Sequence, residues 1–196
     1  MNNAINDIHE FWFATLDEQG MSPPEQHALW FKSGPETDQL CSERFGHLVE
    51  AAIDGNLQPW ESSDAGLVAL IILLDQFPRN IYRGTPRAFA GDSRALALAQ
   101  HCIAHGHHQR LPAIHQVFLY LPLEHTEDLE VQEECVELFR QLFEVTGLEA
   151  MAGYARYAGA HREVIARFGR FPHRNAILGR ESTPLELQYL EKNGGF

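Results

Sequence analysis

Apolar residues recur along most of the chain at the three- and four-residue spacing that is typical of α-helices. One such stripe, formed by Cys41, Phe45 and Ala52, predicts a long helix that begins at Pro35 and ends at Gly55. No stretch shows the sustained alternation of apolar and polar residues that indicates a β-strand. We therefore predict an all-α protein of about nine helices, packed as antiparallel pairs in a single domain of residues 1–196.

The most apolar run of the chain, residues 65–74, has the sequence AGLVALIILL. It is too short to cross a membrane, which takes about 20 residues, and it predicts a buried helix instead. This helix should begin near Ser62 and end at Phe77, because Pro78 disfavours helical geometry in the residue before it.

Capping residues mark further helices in the second half of the chain. Thr126 is expected to cap a helix that ends at Gly147. A helix over residues 148–168 follows, and Thr183 should form a capping box with Glu186 at the start of a last short helix.

The net charge and the cysteine content exclude several classes of binding partner and of cysteine chemistry. The formal net charge of −12 disfavours binding to nucleic acid and to anionic membranes. The three cysteines, Cys41, Cys102 and Cys135, lie far apart and predict reduced, buried thiols. The N-terminal residues lack the basic and apolar segments of a signal peptide, so we expect a cytoplasmic protein.

One phrase occurs twice in the chain. Residues 77–86 read FPRNIYRGTP, and residues 171–184 read FPHRNAILGRESTP. In each copy we expect a helix to end at Phe-Pro. The glycines that follow, Gly84 and Gly179, would then allow a turn with positive φ.

Arginines are concentrated around the two copies. Of thirteen arginines, four lie within residues 79–94 and six within residues 156–180. Because the guanidinium group binds carboxylates and phosphates in a fixed, forked geometry, we predict that Arg79 and Arg174 form an anion clamp. The alternative is that each arginine binds the carbonyl groups of a neighbouring helix end. Five further residues are assigned to the ligand site: Asn80, Arg83, Arg170, His173 and Asn175.

Proton-transfer chemistry is suggested by a third stretch, LYLPLEHTEDLEVQ, over residues 119–132. Glu124 and His125 lie there in a turn between two helices, where the histidine can serve as a general acid or base. His161, a polar residue on an otherwise apolar helix face, is either a satisfied core group or part of the same site. We take Glu124, His125 and His161 as candidate catalytic residues.

We predict neither a metal nor a cofactor. The run His101, His105, His107 and His108 lies at a predicted helix end and lacks the glutamate of the HExxH zinc motif. A metal site built from Glu124 and two histidines remains an alternative.

Three stretches in this order resemble one uncharacterised, mainly bacterial family, domain-of-unknown-function family 924. They are DQFPRNIYRGTPRAFAGD, LYLPLEHTEDLEVQ and GRFPHRNAILGRESTPLE, and the resemblance extends over nearly the whole chain. It implies a TPR-like α-α superhelix. It implies no established activity, substrate or cofactor.

The leading hypothesis is a helical protein that binds a small anion, a phosphate or a carboxylate, in a pocket lined by arginine and histidine. If the protein is an enzyme, hydrolysis or acyl or phosphoryl transfer with His125 as general base is the expected chemistry. The alternatives are a scaffold that binds a protein or peptide and a metal-dependent hydrolase. The sequence does not determine whether the protein is an enzyme, nor its oligomeric state.

Overall fold

The computed structural model describes residues 2–195, and within these residues every regular element is helical. The prediction of an all-α fold is confirmed, while the TPR-like superhelix stays a prediction. Ten α-helices occur in the described range: α1 (Asn2–Phe13), α2 (Gln26–Phe31), α3 (Pro35–Ile53), α4 (Asp64–Ile71), α5 (Phe77–Ile81), α6 (Asp92–Ala104), α7 (Ala113–Glu124), α8 (Leu129–Thr146), α9 (Glu149–Phe168) and α10 (Pro184–Asn193).

The contacts along the chain group the residues into two compact units. The first unit contains the residues up to Arg83 together with Arg87–Pro122. The second contains Gly84–Pro86 together with the residues from Leu123 onward. The expectation of a single domain stays a prediction.

An apolar run and an aromatic cluster form the core of the first unit. Residues 68–74 of the apolar run, in α4 and the π-helical segment after it, are buried, as predicted. Trp12 packs edge-on against Phe77 and Phe118, with ring centroids 5.3 and 5.8 Å apart. Edge-to-face pairs of this kind add to the stabilisation that burial provides. In the part of the chain that the structure describes, no helix is both long enough and apolar enough to cross a membrane.

The helix that contains the apolar run does not end at Phe77, contrary to the prediction. It widens into a π-helical segment, Ile72–Gln76, and continues as α5 through Pro78. A proline inside a helix lacks the N–H for its hydrogen bond and clashes with the carbonyl group four residues earlier, here Leu74. The wider π turn accommodates Pro78 at the start of α5, so the chain remains helical.

Gly91 lies directly against the backbone of Leu74, in the π-helical segment. A Cβ atom at Gly91 would collide with the Leu74 carbonyl oxygen and would lie 2.9 Å from the Leu74 Cα and carbonyl carbon. Only glycine permits the backbone to approach so closely.

The second unit is organised around the packing of α8 against α9. The α8 helix begins later than predicted, because its cap is Asp128 and not Thr126. Asp128 Oδ1 accepts hydrogen bonds from the backbone N–H groups of Glu130 and Val131 at 2.9 and 3.2 Å. The predicted end at Gly147, which has φ of 65°, is confirmed.

The capping box at the start of α10 is confirmed. The Thr183 side chain accepts from the Glu186 N–H, and the Glu186 carboxylate accepts from the Thr183 N–H. All three cysteines are buried and unbonded to one another, in agreement with the prediction.

Candidate functional site

Arg79, in the first copy of the repeated phrase, binds two acids of its own unit. Its Nη1 and Nη2 donate to the Asp92 carboxylate at 2.9 and 3.1 Å. Nη1 also donates to the Asp75 carbonyl oxygen at 2.6 Å and lies 3.3 Å from the Asp75 carboxylate, which is fully buried. Burial opposes the arginine charge, yet Asp75 and Asp92 outweigh it and raise the pKa of Arg79.

Asn80 and Arg83 converge on a different acid of the same unit. Asn80 Nδ2 donates to Asp38 Oδ1 at 2.9 Å and to Ser33 Oγ at 3.0 Å. Arg83 donates to both carboxylate oxygens of Asp38 at 2.6 and 2.8 Å. These bonds join α5 to the start of α3. They favour a structural role for the first copy.

The second copy has a different backbone, although its turn glycine behaves as predicted. α9 ends at Gly169, in the left-handed conformation with φ of 69°, two residues before Phe171. The chain is extended at Phe171 and forms a short 3₁₀ turn over Pro172–Arg174. Gly179 then adopts φ of 64°. The first copy is therefore helical over Phe77–Ile81, whereas the second copy is a loop with one short 3₁₀ turn.

Several of the predicted ligand residues in this loop are bonded within the second unit. Arg170 donates to the Glu186 carboxylate at 2.6 and 2.9 Å, and this bond, together with those from Thr183, holds the pKa of Glu186 well below its usual range. Asn175, which is fully buried, donates to Ser182 Oγ at 3.0 Å. Arg170 and Asn175 thus fasten the loop to the start of α10.

Glu127, just before α8, binds the loop of the second copy. Its carboxylate accepts from Arg180 Nη1 and Nη2 at 2.6 and 2.9 Å and from the Phe171 N–H at 2.8 Å. Burial would raise the pKa of Glu127, but these bonds prevail and lower it. No local pattern identifies this role, since Arg180 is 53 residues away in the sequence.

The three candidate catalytic residues lie together in the second unit. His161 Nδ1 is 3.3 Å from Glu124 Oε1, and both side chains are buried, with 8% and 6% exposure. The rings of His125 and His161 lie 6.4 Å apart, centroid to centroid. Glu124 ends α7, His125 follows it, and His161 comes from α9, so helix packing assembles the set.

Arg174 and His173 adjoin this set through a shared aromatic ring. The Phe171 ring lies 5.6 Å from the His161 ring and 5.6 Å from the His173 ring. The Arg174 guanidinium carbon lies 4.5 Å from the same ring, a cation–π distance, and Arg174 is buried. We call these residues the His161 cluster: Glu124, His125, His161, Phe171, His173 and Arg174.

Hydrogen bonding determines the tautomer of His161. Its Nδ1 lies 2.9 Å from the Tyr157 carbonyl oxygen, which can only accept a hydrogen bond. Nδ1 therefore carries the hydrogen, and in the neutral ring Nε2 carries the lone pair. A histidine whose Nδ1–H faces a carboxyl group and whose Nε2 is a proton acceptor has the arrangement of a general base.

The surroundings of His161 disfavour its charged form. Burial, the largest cause, and then the charges of His125, Arg174 and His173 lower the pKa of His161 to about 3. The hydrogen bond to the Tyr157 carbonyl opposes this change without reversing it. His161 is therefore neutral near pH 7, and the guanidinium group of Arg174 favours an anion nearby.

Gln132 supports the end of α7 and the turn after it, which bear Glu124 and His125, and the sequence did not identify this role. Its Nε2 donates to the carbonyl oxygens of Glu124 and Thr126 at 2.6 and 2.8 Å. Because both partners are acceptors, the orientation of this buried amide is determined. Nothing in the local sequence separates Gln132 from the exposed polar residues of α8.

No set of three or more His, Cys, Asp and Glu side chains among residues 2–195 is placed to hold a metal ion. Arg79 belongs to the first unit and Arg174 to the second, so their convergence as an anion clamp stays a prediction.

An all-helical protein with a buried pair of histidine and glutamate is the class that this fold and cluster define. The chain belongs to the family described as "Bacterial protein of unknown function (DUF924)", which it matches over residues 8–194. The predicted family resemblance is confirmed.

A solved structure of similar fold is the protein of unknown function ATU0120 from Agrobacterium tumefaciens. It is 36% identical to this chain, with a TM-score of 0.82, and the similarity covers 98% of this chain and 99% of that one. No curated protein matches the chain.

Proposed function

We propose that the protein binds a small anionic ligand, carrying a phosphate or a carboxylate, at the His161 cluster, and that His161 transfers a proton in its hydrolysis or group transfer. The observation that supports this most directly is the tautomer of His161. Nδ1–H is committed to the Tyr157 carbonyl, which leaves Nε2 to accept a proton.

The residues around His161 have complementary roles in the proposal. Arg174 attracts the anionic group, with His125 and His173 adding to the positive field. Glu124, 3.3 Å from Nδ1, stabilises the imidazolium that forms when Nε2 takes a proton from water or a hydroxyl group. His125 is the second proton carrier.

Anion binding also adjusts the basicity of His161 in this proposal. The charges of Arg174, His125 and His173 contribute to the low pKa of His161 in the unliganded protein. An anion beside them offsets that contribution and raises the pKa toward the working pH, where a general base is most effective. Ligand binding and proton transfer are thereby coupled.

Binding can be tested by thermal unfolding with inorganic phosphate or acetate, at ionic strength matched with sodium chloride. We expect phosphate or acetate to raise the Tm of the wild type and Arg174→Gln to abolish this rise. Arg140→Gln removes an exposed arginine of α8 that pairs with Glu137, and it should keep the full effect. Equal stabilisation of the Arg174 and Arg140 variants would refute the assignment of the anion to Arg174.

Chemistry is tested separately with p-nitrophenyl phosphate and p-nitrophenyl acetate as substrates. If either is hydrolysed, His161→Asn should reduce kcat by about 100-fold or more, the usual contribution of a general base. Unchanged turnover in this variant would remove His161 from the mechanism, and the binding experiment would still stand. If neither anion stabilises the wild type, the scaffold that binds a protein or peptide becomes the better hypothesis.

A further inference from the structure

A cavity of about 440 Å³ lies in the first unit, between the start of α4 and the end of α6. Its volume is that of a site for a small molecule. All of its lining residues belong to the first unit, so it is separate from the His161 cluster and independent of the proposed function. We call it the α4–α6 cavity.

One side of the cavity is bordered by an ion pair with unused hydrogen-bonding capacity. Arg110 donates from Nε and Nη2 to the Asp64 carboxylate at 2.7 and 2.6 Å. Among residues 2–195, Arg110 Nη1 has no acceptor. Both side chains are about half exposed, so an incoming carboxylate can reach the guanidinium group.

Glu61 provides the opposite charge at the same cavity. Its Oε1 accepts from Arg94 Nη2 at 3.0 Å. Within the described part of the chain, no hydrogen bond is made by Oε2 of Glu61. The lining of the cavity therefore includes both a carboxylate oxygen that can bind an ammonium group and a guanidinium N–H that can bind a carboxylate.

The rest of the lining includes apolar surface. Leu67 and Leu98 border the cavity and are partly buried, and Cys102 beside them is buried. Burial raises the pKa of the Cys102 thiol, so near pH 7 it is a neutral and weakly polar group. This surface suits an aliphatic side chain.

We propose that the α4–α6 cavity binds a small zwitterion, an α-amino acid with an apolar side chain. Its carboxylate would bind Arg110, its ammonium group would bind Glu61, and its side chain would cover Leu67 and Leu98. A simple anion would leave Oε2 of Glu61 without a partner, and a simple cation would leave Nη1 of Arg110 without one. Only a ligand with both charges satisfies both groups.

Calorimetric titration of the whole protein with L-leucine tests this proposal, with two analogues that each lack one charge. Leucinamide has no carboxylate, and 4-methylpentanoate has no ammonium group. Each lost interaction is a charge-assisted hydrogen bond, so each analogue should bind about tenfold more weakly than leucine, or worse. Leucinamide or 4-methylpentanoate binding as tightly as leucine would overturn the zwitterion assignment.

Variants locate the site in the same experiment. Arg110→Gln and Glu61→Gln should each weaken leucine binding by about tenfold or more. Arg140→Gln, on the exposed surface of α8, should leave it unchanged. Amide NMR signals of Leu98 and Cys102 should shift on leucine addition. The absence of both a heat signal and a shift at millimolar leucine would overturn the proposal.

Discussion

His161 donates its Nδ1 hydrogen to the Tyr157 carbonyl oxygen at 2.9 Å and keeps the same nitrogen 3.3 Å from Glu124 Oε1. Nδ1 therefore carries the hydrogen, and Nε2 carries the lone pair of the neutral ring. We expect ¹⁵N NMR of the histidine rings at pH 7 to show His161 as the neutral tautomer with hydrogen on Nδ1. Hydrogen on Nε2 would contradict the proton-acceptor role.

The same histidine should make stability depend on pH. The pKa of His161 is about 3 in the folded protein, below the ordinary histidine value of 6.5. Between these values the unfolded chain binds a proton that the folded chain does not, so the free energy of unfolding decreases as pH falls from 6.5 toward 3. The decrease contributed by one such group is at most about 1.4 kcal/mol per pH unit.

Urea unfolding at pH 7.5 and pH 5 measures this dependence. His161→Asn should reduce the loss of stability between the two pH values, because the variant has no group to protonate in the unfolded chain. His115, whose pKa burial lowers to about 3, contributes a similar slope that remains in the variant. Substitution of the exposed His101 by Asn is the control. If this variant reduced the loss of stability as much as His161→Asn does, the loss could not be assigned to the burial of His161.

The contact between Gly91 and Leu74 predicts a strong effect of a single methyl group. Gly91→Ala would place Cβ against the Leu74 backbone, which cannot move without disturbing the π segment. We expect a loss of about 1–3 kcal/mol in the free energy of unfolding, measured in urea.

Gly159→Ala is the matched control for Gly91→Ala. Gly159 lies within α9, and a Cβ atom there meets nothing within 4 Å among the described residues. Alanine is the better helix former, so this variant should be about 0.5–1 kcal/mol more stable. A similar loss in both variants would show that the Leu74 contact is not the cause.

Two arginines of the first copy should differ sharply in their contribution to stability. Arg79→Met removes the guanidinium group that neutralises the fully buried Asp75, and breaking such a pair costs about 3–5 kcal/mol. Arg83→Met breaks a bond to Asp38 from a side chain that is 54% exposed, and it should cost about 1 kcal/mol or less. Chemical unfolding of both variants measures the difference, and equal losses would argue against a structural role that is special to Arg79.

The repeated phrase shows which structural features a local sequence pattern predicts correctly and which it does not. The positive φ angles of Gly84 and Gly179 were predicted and are confirmed, because only the residue itself determines that freedom. The helix break at Phe77 was wrong, because the π segment and the close approach of Gly91 accommodate Pro78. Those two features come from packing in the first unit. The ten residues of the phrase carry no information about that packing.

The candidate residues stay a prediction, and the sequence placed them only in part. Glu124 and His125 were expected in a turn, but Glu124 is the last residue of α7, because this helix continues past Pro122. His161 was identified by its polarity on an apolar helix face. Gln132 and Glu127 were not identified as parts of the site, since each acts through partners that no sequence spacing relates to it.

By itself, the sequence determined the helices, most of their capping residues and the burial of the apolar run, because these depend on hydrogen bonds and periodicity within a few residues. Only the tertiary structure decided the partners of the charged groups. Arg79 meets Asp92 across 13 positions, and Arg180 meets Glu127 across 53. Pairs so distant in sequence are selected by the packing of whole helices, which brings together side chains that no local pattern connects.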